Sequence, residues 1–265
     1  MTIDFSRNNG FQLMASAQQL LQSFDALLQP EKFRDYGPNG LQVEGRDEIG
    51  SLISGVTASR ALIERAVEAK ADAIFVHHGL FWRGQDGRVT GWMKQRLSLL
   101  LRHDINLFAY HLPLDAHPEL GNNAQFGLKL GLFADRRFGE QDLGLLGECE
   151  DGADFGSADE LARRLQQRLG RTATCVAGDR RRIRRIGWCT GGAQGYFESA
   201  IAAGADAFIT GEISEPQAHY ARECGVAFLA CGHHASERFG APAAAAHIAA
   251  QLGIAHSFVD IDNPA

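Results

Sequence analysis

Three short clusters of histidines and carboxylates stand out in the sequence. Each follows an apolar run that predicts a β-strand. The clusters are His77-His78, His111 with Asp115, and His233-His234 with Glu237. Imidazoles and carboxylates just past strand ends are the groups that proteins use to bind divalent transition metals. The three clusters therefore predict one assembled metal site.

The number of candidate ligands favours two ions over one. We expect the ligands to be His77, His78, Asp115, His233 and Glu237. A catalytic zinc ion needs only three protein ligands and a water, whereas five fit two ions about 3.5–4 Å apart, the spacing of two-metal hydrolases. The mixed nitrogen and oxygen set suits zinc, iron, manganese or nickel and argues against calcium or magnesium.

Each candidate has a simpler interpretation. A buried histidine is usually a hydrogen-bonded core residue, and Asp115 could instead cap the turn before Pro118. His111 and Glu212 occupy positions equivalent to proposed ligands in the other half, where either could orient a ligand ring. His234 is ambiguous, and His233 is preferred for its four-residue spacing to Glu237.

The apolar patterns predict an α/β protein in which strands and helices alternate twice. We expect strands over 52–56, 72–76 and 105–110, then again over 186–190, 206–210 and 226–231. Helices are expected over 11–28, 59–69, 94–102, 158–169, 194–203 and 215–223. The strand ends converge at one edge of a parallel sheet, which is where α/β proteins build their sites.

The second half repeats the first. Ala71-Asp72-Ala73 matches Ala205-Asp206-Ala207, and His111-x-x-x-Asp115 matches His233-x-x-x-Glu237. Two matches in the same order predict an internal duplication. We expect a first α/β repeat over 1–139 with His77, His78 and Asp115, and a second over 140–265 with His233 and Glu237. Since no flexible linker separates them, the repeats should be packed or intertwined.

Composition excludes several classes of function. The net charge is −6, which gives no overall attraction to nucleic acid or anionic membranes. The basic run over 180–185 is interpreted as a solvated turn and strand edge, with a phosphate-binding patch as the minority alternative. Five cysteines without a CxxC pair predict reduced thiols, and no stretch is apolar enough to span a bilayer. The expected location is the cytoplasm.

Two further features leave alternatives open. Trp82 and Trp92 could line a pocket for a flat ring such as a nucleobase, or simply pack over the strand ends. Gly191-Gly192-Ala193 could seat a phosphate on backbone amides or form a plain strand-to-helix turn. No nucleophile elbow, P-loop or dinucleotide motif is found, so Ser, Lys or Cys nucleophilic catalysis has no support.

Taken together, five segments of the sequence resemble the Ngg-interacting-factor-like family. They are Tyr36-Gly37-Pro38-Asn39-Gly40-Leu41-Gln42-Val43-Glu44-Gly45, Val76-His77-His78-Gly79-Leu80-Phe81-Trp82, His111-Leu112-Pro113-Leu114-Asp115-Ala116-His117, Gly211-Glu212-Ile213-Ser214 and Gly232-His233-His234-Ala235-Ser236-Glu237. The resemblance implies a duplicated α/β fold with mixed sheets and a shared dinuclear metal centre on the five proposed ligands. It also implies a toroidal homohexamer. Bacterial members are commonly labelled type-2 GTP cyclohydrolase I homologues.

These observations predict a metal-dependent hydrolase of a small, nucleotide-like substrate. Metal-activated water would attack, and His111 or a carboxylate would handle the proton. The alternative is a non-catalytic metal-binding or regulatory ring protein. A ring that clamps nucleic acid is disfavoured by the acidic total charge, and no membrane partner is expected.

Overall fold

The protein is described by a computed structural model over residues 14–179 and 181–265. These residues form two compact units. The first contains residues up to Leu114 together with Ala241–Asp262, and the second contains Asp115–Gly240 and Asn263–Ala265. The chain therefore passes between the units three times, at Leu114/Asp115, at Gly240/Ala241 and, for its last three residues, at Asp262/Asn263. The predicted repeat boundary at 139/140 is a different kind of division and stays a prediction.

The described residues alternate between strands and helices, as the apolar patterns predicted. The strands are β1 (Ala15–Ser16), β2 (Gly40–Val43), β3 (Glu48–Ile49), β4 (Ser51–Thr57), β5 (Ala73–His78), β6 (Asn106–Ala109), β7 (Leu132–Phe138), β8 (Gly144–Cys149), β9 (Thr174–Val176), β10 (Ile186–Trp188), β11 (Ala207–Thr210), β12 (Ala227–Ala230) and β13 (Ala255–Phe258). The helices are α1 (Ala17–Leu28), α2 (Arg60–Ala69), α3 (Gly91–Arg102), α4 (Leu112–Ala116), α5 (Asn122–Leu130), α6 (Ala158–Leu169), α7 (Phe197–Ala202), α8 (Glu215–Cys224), α9 (His233–Glu237) and α10 (Gly240–Leu252).

The first unit contains a five-stranded mixed sheet in the order β13-β4-β5-β6-β2. Strands β4, β5 and β6 are parallel, β13 joins them in parallel, and β2 pairs with β6 antiparallel. Apolar side chains cover both faces of the central strands, as a sheet covered on both sides requires. Phe24 of α1 stacks on Phe75 of β5 with ring centroids 4.3 Å apart, and each such buried ring contributes roughly 1.5–3 kcal/mol.

The second unit contains a six-stranded mixed sheet in the order β7-β8-β10-β11-β12-β9. Strands β10, β11 and β12 are parallel, whereas β8 and β9 flank them antiparallel and β7 pairs antiparallel with β8. Its core holds Trp188, Ile209 and Leu229 beside the apolar face of α6. The mixed α/β fold expected from the sequence is confirmed.

The two sheets share an arrangement of strands. In each, three parallel strands follow one another, and an earlier strand pairs antiparallel with the third. Asp72 accepts hydrogen bonds from the backbone N–H groups of Gly50 and Ser51 at 3.0 Å. Asp206 accepts the equivalent bonds from Arg184 and Arg185 at 3.0 and 2.8 Å. This correspondence supports the predicted duplication, which itself stays a prediction.

Two helix predictions need correction. The helix expected over 11–28 begins at Ala17, because residues 15–16 pair with β3 and Ser16 forms a capping box with Gln19; residues 11–13 lie outside the described residues. The helix expected over 194–203 is a 3₁₀ turn, Gln194–Tyr196, followed by α7. The helix over 158–169 is confirmed as α6, with Ser157 capping the N–H of Glu160.

The basic run is neutralised by carboxylates of the second unit. Arg181 pairs with Asp179, Arg182 with Asp154, and Arg185 with both Asp135 and Glu148; Arg180 lies outside the described residues. These pairs favour the solvated turn and strand edge over a phosphate patch. Among the described residues, no helix is long and apolar enough to cross a membrane.

Candidate metal centre

Three histidines of the first unit cluster at the carboxyl end of its parallel strands. His77 and His78 are the last residues of β5, and His111 follows β6. The ring centroid of His77 lies 4.5 Å from that of His78 and 4.9 Å from that of His111. One ring nitrogen of each lies within 4.8 Å of the others. Three imidazoles at this spacing can hold a metal ion.

Neighbouring groups fix the orientation of the first two rings. His77 is fully buried, and its Nδ1 lies 3.2 Å from the carbonyl oxygen of Tyr110. Because a carbonyl only accepts, this Nδ1 carries the proton and Nε2 keeps its lone pair for a metal. The Nδ1 of His78 lies 3.1 Å from the Thr57 hydroxyl at the end of β4. Such outer contacts typically orient ligating histidines.

Asp35 holds the third ring, His111. Its Oδ1 lies 2.7 Å from His111 Nδ1, and its Oδ2 accepts hydrogen bonds from Asn39 Nδ2 and the Leu112 N–H, both at 2.9 Å. Burial disfavours the charged carboxylate, but the contacts with His111 and Asn39 outweigh it and hold the pKa of Asp35 below its usual range. Asp35 is therefore ionised, and it accepts a hydrogen bond from the first residue of α4.

The segment containing Tyr36 and Gly37 packs against the residues after β5. Gln42 accepts a hydrogen bond from the Leu80 N–H and donates one to the Pro38 carbonyl, both at 2.8 Å. A Cβ on Gly79 would overlap the Gln42 amide, and one on Gly37 would overlap the Phe81 carbonyl. Glycine at position 37 is therefore required for this close backbone approach, whereas a side chain at position 79 would displace the Gln42 amide.

In the second unit, His233 lies between two carboxylates. Its Nδ1 is 2.6 Å from Glu212 Oε1 and its Nε2 is 3.2 Å from Glu237 Oε2. His233 and Glu237 begin and end α9, so their four-residue spacing places them on one face of that helix. Burial disfavours the charged ring, but Glu237 and Glu212 outweigh it and raise the pKa of His233 to about 9.

Asp115 and Glu237 are buried carboxylates of the second unit. One oxygen of each lies within 4.8 Å of the other. Asp115 Oδ1 accepts a hydrogen bond from Asn122 Nδ2 at 2.9 Å and lies 3.5 Å from the Thr190 hydroxyl. Two buried carboxylates repel each other unless a cation, either a metal ion or the protonated His233 ring, lies nearby. This pair therefore fits a metal site better than it fits a turn cap.

Glycines leave room for the side chain of Glu237 and for the backbone of His233. Gly191, with φ +70°, lies where any Cβ would overlap Glu237 Oε1, and its N–H donates to the Ser236 hydroxyl at 2.9 Å. A Cβ on Gly211 would approach the His233 backbone within 2.6 Å. A carboxylate this close repels anions, which disfavours phosphate binding by the backbone amides of Gly191-Gly192-Ala193.

The structure brings together the predicted residues within each unit: His77, His78 and His111 in the first, and Asp115, His233 and Glu237 in the second. His234 is buried beside His233, whereas His233 makes the contact with Glu237 that its spacing predicted. Trp82 contacts His111 edge-on at 5.0 Å between centroids, while Trp92 is exposed and carries the Arg96 guanidinium at 4.8 Å.

Sequence reasoning missed Asp35 and Asn122. Asp35 reaches His111 across 76 positions of the chain, and no local pattern encodes such a contact. Asn122 begins α5 and holds Asp115, seven residues earlier. A short side chain before the Tyr36-Gly37-Pro38-Asn39 turn was the available signal for Asp35.

Comparison with known proteins decides the family. The Duf34/NIF3 (NGG1p interacting factor 3) family matches residues 15–264. This chain belongs to the Duf34/NIF3 family. Among its relatives, the GTP cyclohydrolase 1 type 2 homolog of Neisseria meningitidis serogroup B is 49% identical over 252 residues, covering 95% of this chain and 100% of the relative. The resemblance inferred from sequence motifs is confirmed.

Solved Duf34/NIF3-like structures share the whole fold. Protein ybgI, described as of unknown function, superposes with a TM-score of 0.90 at 43% identity, covering 94% of this chain and 100% of that chain. TTHA1606 from Thermus thermophilus superposes with a TM-score of 0.85 at 32% identity, with the same coverage. The mixed α/β architecture is therefore that of the Duf34/NIF3 family.

Proposed function

We propose that the protein is a dinuclear, divalent-metal-dependent hydrolase that acts on a small, nucleotide-like substrate. The proposed ligands are His77, His78, Asp115, His233 and Glu237. The observation that carries the proposal is the pair of buried carboxylates, Asp115 and Glu237, with oxygens within 4.8 Å of each other. Such a pair suits ions about 3.5–4 Å apart.

The residues present fit divalent transition metals. The histidine rings of the first unit offer neutral nitrogen donors, oriented by Tyr110 and Thr57. The second unit offers carboxylate oxygens, which supply negative charge. This combination suits zinc, iron, manganese or nickel more than calcium or magnesium, which prefer oxygen ligands alone.

The two proposed carboxylate ligands lie near first-unit residues along the chain. Asp115 is the first residue of the second unit, in the short helix α4 that follows His111. Glu237 lies three residues before Gly240, after which the chain returns to the first unit.

The chemistry divides between the ions and the side chains. When bound, ions of this kind polarise a substrate oxygen and lower the pKa of water to about 7. His111 accepts and returns the proton of the reaction, because its ring is partly exposed and Asp35 holds its Nδ1. The exposed Tyr36 and the adjacent Trp82 flank His111 with centroids 6.0 and 5.0 Å away. These rings and the name of the Neisseria relative support a substrate with a flat ring.

Elemental analysis and a substrate panel test the proposal. Protein purified without added metal should contain about two transition-metal ions per chain, and the Glu237→Gln variant should hold less than one. The matched control is Glu215→Gln, because Glu215 and His219 form the same four-residue ion pair on α8, exposed to solvent. Near-zero metal in the wild type, or equal metal in both variants, would contradict the dinuclear centre.

Turnover is measured separately. Metal-loaded protein is assayed on nucleotides, phosphoesters and cyclic amides with zinc, iron or manganese. We expect hydrolysis of at least one nucleotide-like compound and a loss of at least about 100-fold in Glu237→Gln. Stoichiometric metal without turnover on any of them would favour the non-catalytic metal-binding or regulatory ring protein instead.

We also propose a homohexameric ring and a cytoplasmic setting. Phe133 and Leu128 of the second unit are 67% and 66% exposed, beside the edge strand β7; a neighbouring copy would cover them. Light scattering should give six times the chain mass of 28.8 kDa. The five cysteines are all free thiols, which suits a reducing compartment, and fractionation of cells would test the location.

A further inference from the structure

Asp35 accepts several hydrogen bonds beside the histidine cluster of the first unit. Its two oxygens accept from four donors: His111 Nδ1, the Tyr36 N–H, Asn39 Nδ2 and the Leu112 N–H. Its side chain is only 4% exposed. Three of these partners are N–H donors whatever the tautomer of His111, and the contacts hold the pKa of Asp35 below its usual range, so the carboxylate is ionised and His111 Nδ1 donates to it.

We infer that Asp35 is a positioning residue: it holds the His111 ring in one orientation and one tautomer, with Nδ1–H donated to Asp35 and the lone pair left on Nε2. The inference rests on the proposed function and names a residue that acts through His111. Asn39 completes the arrangement, because its Oδ1 accepts the His111 N–H at 2.7 Å while its Nδ2 donates to Asp35.

The geometry decides which nitrogen of His111 is available. With Nδ1–H donated to Asp35, Nε2 keeps its lone pair and can accept a hydrogen bond, while Asp35 stays ionised. A carboxylate on Nδ1 that fixes the tautomer of a catalytic imidazole is a recurrent arrangement.

The second unit has the same pairing on another histidine. Nδ1 of His233 lies 2.6 Å from Glu212, while Nδ1 of His111 lies 2.7 Å from Asp35. The partners differ, however. Nε2 of His233 is 3.2 Å from the proposed ligand Glu237, whereas the His111 ring is flanked by Tyr36 and Trp82. A carboxylate on Nδ1 therefore orients one ring in each unit.

The control for an Asp35 variant is Asp72. It is also a well-bonded carboxylate of the first unit, accepting from Gly50, Ser51 and Arg46, but it lies before β5, at the opposite end of the strands from His77 and His78. Replacing Asp72 by Asn therefore removes a comparable structural carboxylate without touching His111.

The experiment combines spectroscopy, metal content and kinetics on the full chain. Zinc-loaded wild type labelled with ¹⁵N-histidine should show a hydrogen-bonded Nδ1–H for His111, assigned by its loss in His111→Asn. Asp35→Asn should lose or shift that signal, keep its metal, and lower kcat about 100-fold with KM changed less than about threefold. Asp72→Asn should keep the signal and kcat within about twofold.

Several results would overturn the inference. An Nε2–H tautomer for His111 in the wild-type spectrum would do so even if Asp35→Asn failed to fold. A lower metal content in Asp35→Asn would make His111 a ligand instead. Asp35→Asn on the His111→Asn background should cause no further loss of kcat, and an additive loss would show that Asp35 does not act through His111. If no substrate is turned over, the proposed function fails, while the spectrum still decides the pairing.

Discussion

The two units use one strand arrangement for two kinds of donor. In the first, the second parallel strand β5 ends in His77 and His78, whereas the equivalent strand β11 of the second unit is followed by Gly211 and Glu212. The first unit thus gathers imidazoles, and the second gathers carboxylates around one imidazole. The scaffold fixes where chemical groups stand, and single positions past the strand ends decide which groups they are.

A second pair of positions makes the same point. Ser54 pairs with Phe75 and Trp188 pairs with Ile209, at equivalent places in the two sheets. Three residues further on, Thr57 of the first unit bonds to His78. Its counterpart in the second unit is Gly191, which leaves room for Glu237. A side chain orients a proposed ligand in one unit, and the lack of a side chain leaves room for a proposed ligand in the other.

The largest effect is expected for Gly191→Ala. The new Cβ would overlap Glu237 Oε1 at a backbone with φ +70°, so both strain and displacement of Glu237 follow. We expect the free energy of unfolding to fall by about 3 kcal/mol and the bound metal to fall below one ion per chain, measured by denaturation and elemental analysis.

Gly204→Ala is the control for Gly191. It has φ +90° but no atom within 4 Å of its Cβ position, so it carries only the backbone cost of about 1–2 kcal/mol and should retain its metal. If both variants lost equal metal, Gly191 would have no special relation to Glu237, and the contrast with Thr57 would fail.

A smaller effect tests the likeness of the two sheets. Asp72→Ala and Asp206→Ala each remove an acceptor from two backbone N–H groups that begin the neighbouring strand. Each should lower the free energy of unfolding by roughly 1–3 kcal/mol, and both should keep their metal. Urea denaturation measures the free energy of unfolding of both variants. Losses that differ by more than about 2 kcal/mol would mean that the two aspartates are not structurally equivalent.

The smallest effect concerns a strand without a counterpart. In the first unit β13 lies beside β4, and its His256 Nε2 is 2.9 Å from the Ser54 hydroxyl. Burial lowers the pKa of His256 to about 4 from 6.5. As the pH falls through 6.5 the unfolded chain binds a proton that the folded chain does not bind until about 4. This contribution is therefore complete above the unfolded pKa and is lost between these values.

The measurement is the difference in unfolding free energy between pH 7 and pH 5 for the wild type and His256→Gln. After allowance for the partly exposed ring, the wild type should lose about 1 kcal/mol more than the variant. Identical pH dependence would show that His256 is not desolvated in the folded chain, and that β13 is packed no more tightly than an ordinary edge strand.

Sequence periodicity was a good guide to the strands but a poor guide to contacts between distant segments. The apolar run before His77 and His78 predicted a strand at this place, and β5 covers it and extends through both histidines. The Gln194–Ala203 helix was misjudged because its first turn is 3₁₀. Asp35 was missed because its role depends on a partner brought close only by the folded sheet.

The return of the chain to the first unit has a consequence for its synthesis. Strand β13, residues 255–258, completes the first sheet beside β4, yet it is translated only after residues 115–240. Residues 115–240 of the second unit leave the ribosome as one continuous piece. The nascent first unit therefore waits with an open β4 edge, exposed to pairing with other chains, and a stop codon before Ala255 would make that exposure permanent.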